Sequence, residues 1–162
     1  GIDTIEHGTY LDEAAAREMV KNGTVLIPTL MAFKGVTERL GQGIYTPVVE
    51  DKIRAVADVA QTFMRKARNW GVPIAFGTEA GVFEHGRNAG EFALMRAQGM
   101  TNREALASAT TMAARVLEME NEIGRLAPGY SADIIAVDGD PLADVTVLED
   151  VDWVMVRGRV IE

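Results

Sequence analysis

The chain contains no cysteine, so disulfides and thiolate metal sites are excluded outright. No apolar run approaches the roughly 20 residues that a membrane span needs. No charged-then-apolar leader opens the sequence, and the expectation is a soluble, cytoplasmic protein with no membrane partner. Basic residues are in short supply: 16 Lys and Arg stand against 24 Asp and Glu, a formal net charge of −8. Such a chain cannot neutralise phosphates in quantity, which argues against a nucleic-acid partner. A Gly-rich phosphate loop, a nucleophile elbow and a His-Glu-x-x-His helix are all missing. An initiator Met is missing too, and Gly1-Ile2-Asp3-Thr4-Ile5-Glu6 reads as a turn running straight into a strand. Natural domains more often begin with a few expendable residues, so the parent protein is expected to extend upstream.

What is there is an ordinary globular balance. With 162 residues, 48% hydrophobic and 25% charged, the chain suits one compact unit with a genuine core. The first half alternates. Thr4-Ile5-Glu6 is a strand candidate, and Asp12 caps a helix that Asn22-Gly23 stops. Thr24-Val25-Leu26-Ile27 has the near-continuous apolar run of a strand covered on both faces. Residues 31–47, with Gly35, Gly41, Gly43 and Pro47, read as a long loop with room for a helical turn, and the apolar spacing from Val48 to Trp70 predicts one amphipathic helix. Arg65-Lys66-Ala67-Arg68 sits on its solvated face. Val72–Phe76 is again a short buried strand. Helices are then predicted over Asn88–Gln98, from the capping box Thr101-Asn102-Arg103-Glu104 through Ala109, and over Met112–Met119. The ending differs in kind: Ala132–Val137, Val151–Val156 and Val160–Ile161 are β segments separated by turns. The pattern predicts an α/β part up to about residue 120 and a small β appendage after it.

Chemistry-bearing residues gather at the C-terminal ends of the three early strands. Strand one delivers Glu6-His7-Gly8, strand two Pro28-Thr29, and strand three Gly77-Thr78-Glu79. In parallel α/β folds functional groups collect at that end, where the strands point and the following loops are free to vary. Only two histidines exist, His7 and His85, and both fall in these loops. Each residue also has a plainer role open to it. A histidine after a strand can be a hydrogen-bonded turn residue, Glu79 a solvated loop acid, and Thr29 and Thr78 local caps. Met31, Met95 and Met112 read as packing. The residues by themselves point to a metal or acid–base site at a barrel mouth, and no further.

Four stretches carry a resemblance: "GIDTIEHGTYLDEAAAREMVKNGTVLIPTL", "GVPIAFGTEAGVFEHGRNAGEFALM", "GMTNREALASATTMAARVLEMENEIGRLAPGYSADIIAVDGDPLADV" and "VMVRGRVIE". In order, and over essentially the whole chain, they resemble the C-terminal part of the amidohydrolase superfamily. The nearest branch is that of imidazolonepropionase-like and Xaa-Pro dipeptidase (prolidase-like) or carboxypeptidase enzymes. The resemblance implies an α/β fold: about strands six to eight of a metal-dependent-hydrolase (β/α)₈ barrel over residues 1–120, then part of a small composite β-sandwich over 121–162. It also implies one or two divalent metals, usually zinc, at the barrel mouth. By motif, His7 falls at the strand-six histidine that holds metal. Glu79 falls at the strand-eight aspartate that binds metal and shuttles the proton of the attacking water. His85 resembles a loop histidine close to substrate, and Arg87 is a candidate for a substrate carboxylate.

Two departures from that pattern stand out. The family's His-x-His, its strand-four lysine and its strand-five histidine are absent, which leaves fewer than the three protein ligands a catalytic zinc commonly has. The acid at position 79 is glutamate, whose carboxylate stands about 1.5 Å further out, one C–C bond. The function implied for the intact enzyme is metal-dependent hydrolysis of an amide or peptide-type C–N bond in a small-molecule amide or dipeptide. Two alternatives are a catalytically incomplete fragment or non-enzymatic subunit, and a phosphotriester or lactone hydrolase on the same scaffold. The open barrel edge is expected to favour association, as a homo-oligomer or with a completing chain.

Overall fold

The computed structural model describes residues 1–161. Strand β1 (Thr4–Glu6) leads through helix α1 (Glu13–Asn22) to strand β2 (Val25–Ile27), which pairs parallel to β1 with Ile5 opposite Leu26. Helix α1 starts where the sequence predicts: Asp12 accepts the Ala15 N–H, and Gly23, in the left-handed region, closes the helix. The third parallel segment is shorter than expected. It is a single bridge between Leu26 and Ile74, with Leu26 N–H donating to Pro73 O and Ala75 N–H to Leu26 O. The spatial order is therefore β1, β2, then the Ile74 segment, with β1 at the edge.

Two sequence readings are corrected. The predicted loop over 31–47 begins with a helix, α2 (Leu30–Glu38). Gly35, which suggested a loop, is instead a notch: a Cβ there would lie 2.7 Å from Cβ of the buried Phe83. The predicted single helix from Val48 to Trp70 is two, α3 (Pro47–Ala60) and α4 (Phe63–Asn69). The break is held by the buried Gln98, whose amide donates to Ala60 O at 3.1 Å and accepts from Arg65 N–H at 3.1 Å. One side chain thus satisfies the backbone groups that a continuous helix would have paired.

Helices α5 (Gly90–Ala97), α6 (Asn102–Ala109) and α7 (Thr111–Val116) follow, and the capping box of Thr101 and Glu104 at the start of α6 forms as read. The main core joins Leu26, Ile74, Phe63, Met64, Met19 and Met95 beneath the parallel strands. Of the methionines expected to pack, Met31 and Met95 are buried, and Met112 is half-buried. Beyond α7, an antiparallel sheet of β3 (Ile134–Ala136), β4 (Trp153–Val156) and β5 (Arg159–Val160) replaces the parallel pattern. An unpredicted 3₁₀ turn, Val145–Glu149, packs Val145 and Leu148 against Phe92 and Ala105. Phe76 touches both cores, its ring 4.5 Å from that of Phe92. Among the described residues, no helix is long and apolar enough to cross a membrane.

Gly77 is where the third segment can approach the second, because a Cβ there would stand 2.3 Å from Ile27 Cγ2. Gly77→Ala is expected to cost about 1–3 kcal/mol by overpacking. Ile27→Ala in that background should recover part of the loss, measured by urea denaturation. Equal stability of wild type and Gly77→Ala would contradict the packing.

Candidate active site

Each of the three parallel segments ends in a residue forced into the left-handed region. His7 has φ 63°, Thr29 φ 49° and Glu79 φ 56°. Non-glycine residues rarely adopt this conformation, and a β-branched threonine least readily. Such strain persists only where surrounding structure over-determines it, and it collects at functional sites. Here it turns three successive strand ends toward one point.

The imidazole of His7 is held on one side by Thr29, with Nδ1 and Oγ1 2.5 Å apart. The Thr29 hydroxyl donates its own hydrogen to Pro28 O at 2.8 Å. With Nδ1 engaged by Thr29, Nε2 is the ring nitrogen left for another partner. It faces Glu79, 3.6 Å from Oε2. The ring of Phe33 packs edge-on against the imidazole, centroids 6.0 Å apart. A cavity of about 330 Å³ opens between His7 and Glu79 on one side and Ala32, Phe33, Val36 and Val82 on the other. A larger cavity, about 400 Å³, lies between α2, α3, α4 and α5, and neither His7 nor Glu79 lines it.

A ring nitrogen facing a carboxylate oxygen is stabilised by a cation or a proton between them. At 3.6 Å the two atoms are too far apart for a hydrogen bond. Two ligands held at about 2.0–2.2 Å on a tetrahedral centre lie about 3.3–3.6 Å apart. The pair therefore fits two positions of one divalent metal's shell, a nitrogen and an oxygen donor of the right hardness for zinc. Among the described residues no group of three or more His, Cys, Asp or Glu completes such a shell.

Loop 79–88, which carries the remaining candidates, is strapped to α2. Phe83 fills the Gly35 notch, and Arg39 donates to Val82 O at 2.7 Å. Asn88 ties back to Thr78 Oγ1 at 3.0 Å. Arg87 is placed in this strap: it donates to both oxygens of Glu38 at 3.0 Å and to Glu84 at 2.8 Å. These pairs hold the Glu38 and Glu84 carboxyls below the usual range, Glu38 chiefly through Arg87, and Glu84 chiefly through a backbone hydrogen bond and then Arg87. His85 is exposed in the same loop and does not line the His7–Glu79 cavity.

One residue takes a role the sequence left open, and another escapes a reading of the sequence. Thr29, which could have been a local cap, makes no side-chain cap to its helix and is spent on His7. Glu91 is fully buried and accepts the Leu30 and Met31 N–H groups at 2.9 and 2.6 Å. Its signal was present: an acid beside Phe92 and four residues before Met95 lies on the apolar face of α5. Burial pushes its carboxyl up to about 7, and the two backbone donors hold it from rising further.

The chain matches the model of the amidohydrolase family over residues 1–161, and it belongs to that family. A crystal structure of a Xaa-Pro dipeptidase with methionine bound in its active site superposes with a TM-score of 0.95 at 40% identity, over 100% of this chain and 40% of that one. An uncharacterised protein of Mycobacterium tuberculosis is 38% identical over 98% of this chain and 42% of its own length. Ochratoxinase of Aspergillus niger is 31% identical over 93% of this chain and 31% of its own. The chain thus spans between about three and four tenths of these proteins. The fold is that of the C-terminal part of the amidohydrolase barrel, as the resemblance implied.

The Glu91 carboxyl gives a pH signature. Its folded value of about 7 lies above the ordinary 4.5, so between those values the folded state holds a proton that the unfolded chain has released. Stability from this group is therefore fully present below about pH 4.5 and is lost as pH rises through about 7. Wild type should lose stability relative to Glu91→Gln across that window in urea titrations. A constant difference would contradict the burial argument.

Proposed function

We propose that the intact protein containing this chain hydrolyses an amide or peptide-type C–N bond in a small substrate of dipeptide size, using a divalent metal, zinc by preference. One observation carries the proposal: His7 Nε2 and Glu79 Oε2, delivered by separate strand ends, converge within 3.6 Å at the wall of a cavity. The likeness to a Xaa-Pro dipeptidase and to ochratoxinase supports the substrate class.

Bound at this point, a divalent cation supplies Lewis acidity and makes water acidic enough to ionise near neutral pH. The residues of the chain do the rest. Nδ1 of His7, anchored on Thr29, keeps Nε2 aimed as a ligand, the usual outer-shell support for such a histidine. Glu79, more than half of whose side chain is exposed, is free to take the proton of the attacking water at its carboxylate. It then returns that proton to the leaving nitrogen. Ala32, Phe33, Val36 and Val82 line an apolar wall suited to a hydrophobic substrate side chain. His85 and Arg87 are proposed to meet the substrate only after Arg87 exchanges Glu38 for a substrate carboxylate of the same bidentate geometry. A cytoplasmic location and a homo-oligomeric state belong to the same proposal; association through the β1 edge belongs to the alternative of an incomplete barrel.

The test uses the intact protein and a panel of Xaa-Pro and N-acyl amino-acid substrates. Chelation should abolish turnover, and His7→Ala should lower bound metal. Glu79→Gln should lower kcat about 10²–10⁴-fold, the range of a lost general base, measured at saturating zinc because the same side chain faces the metal point. Turnover indifferent to both substitutions would sink the proposal.

A further inference from the structure

The cavity of about 400 Å³ between α2, α3, α4 and α5 has a size usual for small-molecule sites, which run from about 300 to 1,000 Å³. Its walls are apolar: Leu30 and Phe33 from α2, Ala60 from α3 and Leu94 from α5. Phe33 also lines the His7–Glu79 cavity, but His7 and Glu79 themselves do not reach this one.

The polar groups around it fall into two kinds. Gln98 and Thr37 are committed inward. The Gln98 amide is taken by Ala60 O and Arg65 N–H, and the Thr37 hydroxyl turns back on the Phe33 and Lys34 carbonyls of its own helix. What remains is the exposed Gln61 and two exposed cations, Lys34 and Arg65. Among the described residues no aspartate or glutamate lines the cavity, in a chain where 24 acids outnumber 16 Lys and Arg. The Arg65 guanidinium is placed by one bond, Nη2 donating to Ala97 O at 2.8 Å. No salt bridge among the described residues includes it. Lys34 reaches Glu38 only at 3.9 Å, and Arg87 already grips both oxygens of that carboxylate.

Two cations at the mouth of an apolar cleft draw an anion, and the planar fork of a guanidinium matches a carboxylate. The walls behind them favour hydrocarbon, because each buried methylene adds to affinity. We propose that this cavity is a second ligand site, separate from the His7–Glu79 cavity, for a small amphipathic monocarboxylate. Its hydrocarbon body lies against Leu30, Phe33, Ala60 and Leu94, and its carboxylate is held by Arg65 and Lys34. The inference does not use the proposed hydrolysis, because occupancy is read as binding and needs no turnover.

The experiment is isothermal titration calorimetry of the intact protein with octanoate, kept below its micelle concentration. Octanoate should bind saturably, and octanol, with the same hydrocarbon body and no charge, should bind about tenfold more weakly or worse. Arg65→Gln and Lys34→Gln, both at exposed positions, should each weaken octanoate about tenfold, the worth of one charge-assisted hydrogen bond. Ala97→Trp should abolish binding, since Ala97 lines the cavity from an exposed position on α5 and an indole there would fill it. His7→Ala should leave the octanoate affinity unchanged. If Ala97→Trp does not fold, the two glutamine variants carry the test. Absence of octanoate binding to the wild type overturns the proposal, whether the cleft has no affinity or another part of the intact chain fills it. Equal binding of octanol and octanoate overturns it too. So does an affinity that falls in His7→Ala and not in Arg65→Gln, which would put the octanoate in the His7–Glu79 cavity. An intact protein that binds octanoate as expected and hydrolyses nothing would leave this inference standing and remove the proposed function instead.

Discussion

The hydrogen bond between His7 Nδ1 and Thr29 Oγ1 joins the ends of two neighbouring strands, and the geometry of the site follows from it. It engages Nδ1 and leaves Nε2 to look across 3.6 Å at the Glu79 carboxylate, an arrangement that favours positive charge, a proton or a cation, between the two. Three left-handed backbones are the cost of bringing these atoms together, each on the order of 1–3 kcal/mol. The short parallel ladder and the core beneath it bear that cost.

Helix α2 is the element through which the rest of the molecule reaches this bond. Glu91 grips its first turn from within the core, while Arg39, Arg87 and the Phe83–Gly35 contact hold its far end to the loop that carries Glu79. The two grips differ in kind. The first is buried and is not screened by solvent. The second combines the buried Phe83–Gly35 contact and the Arg39–Val82 O hydrogen bond with half-exposed ion pairs of Arg87, the ion pairs individually worth about 0–1 kcal/mol.

Much of this was legible in the sequence, for physical reasons that can be named. Helix α1 was readable at both ends because Asp12 and Gly23 are local signals that need no tertiary partner, and the Thr101–Glu104 box was readable for the same reason. His7 and Glu79 were read together because polar residues gather at strand ends in parallel folds, and the structure brings them within 3.6 Å. The misreadings share a cause. Helix α2 was read as loop because its cap comes from α5 and its glycine serves Phe83, both remote in sequence. The α3–α4 break was missed because Gln98 creates it from a distance. Glu91 went unnoticed although an acid on an apolar helix face was in plain view. Arg87, which looked available to a ligand, is occupied by Glu38 and Glu84, a pairing that no spacing rule reveals.

The account stands on one position in space: the point between His7 Nε2 and Glu79 Oε2. Crystals of the intact protein grown with zinc, and measured for anomalous scattering at the zinc edge, test it most directly. The account predicts a peak within about 2.0–2.2 Å of both atoms, with His7 Nδ1 still on Thr29. A zinc peak elsewhere, or one bound to His7 through Nδ1, would contradict it.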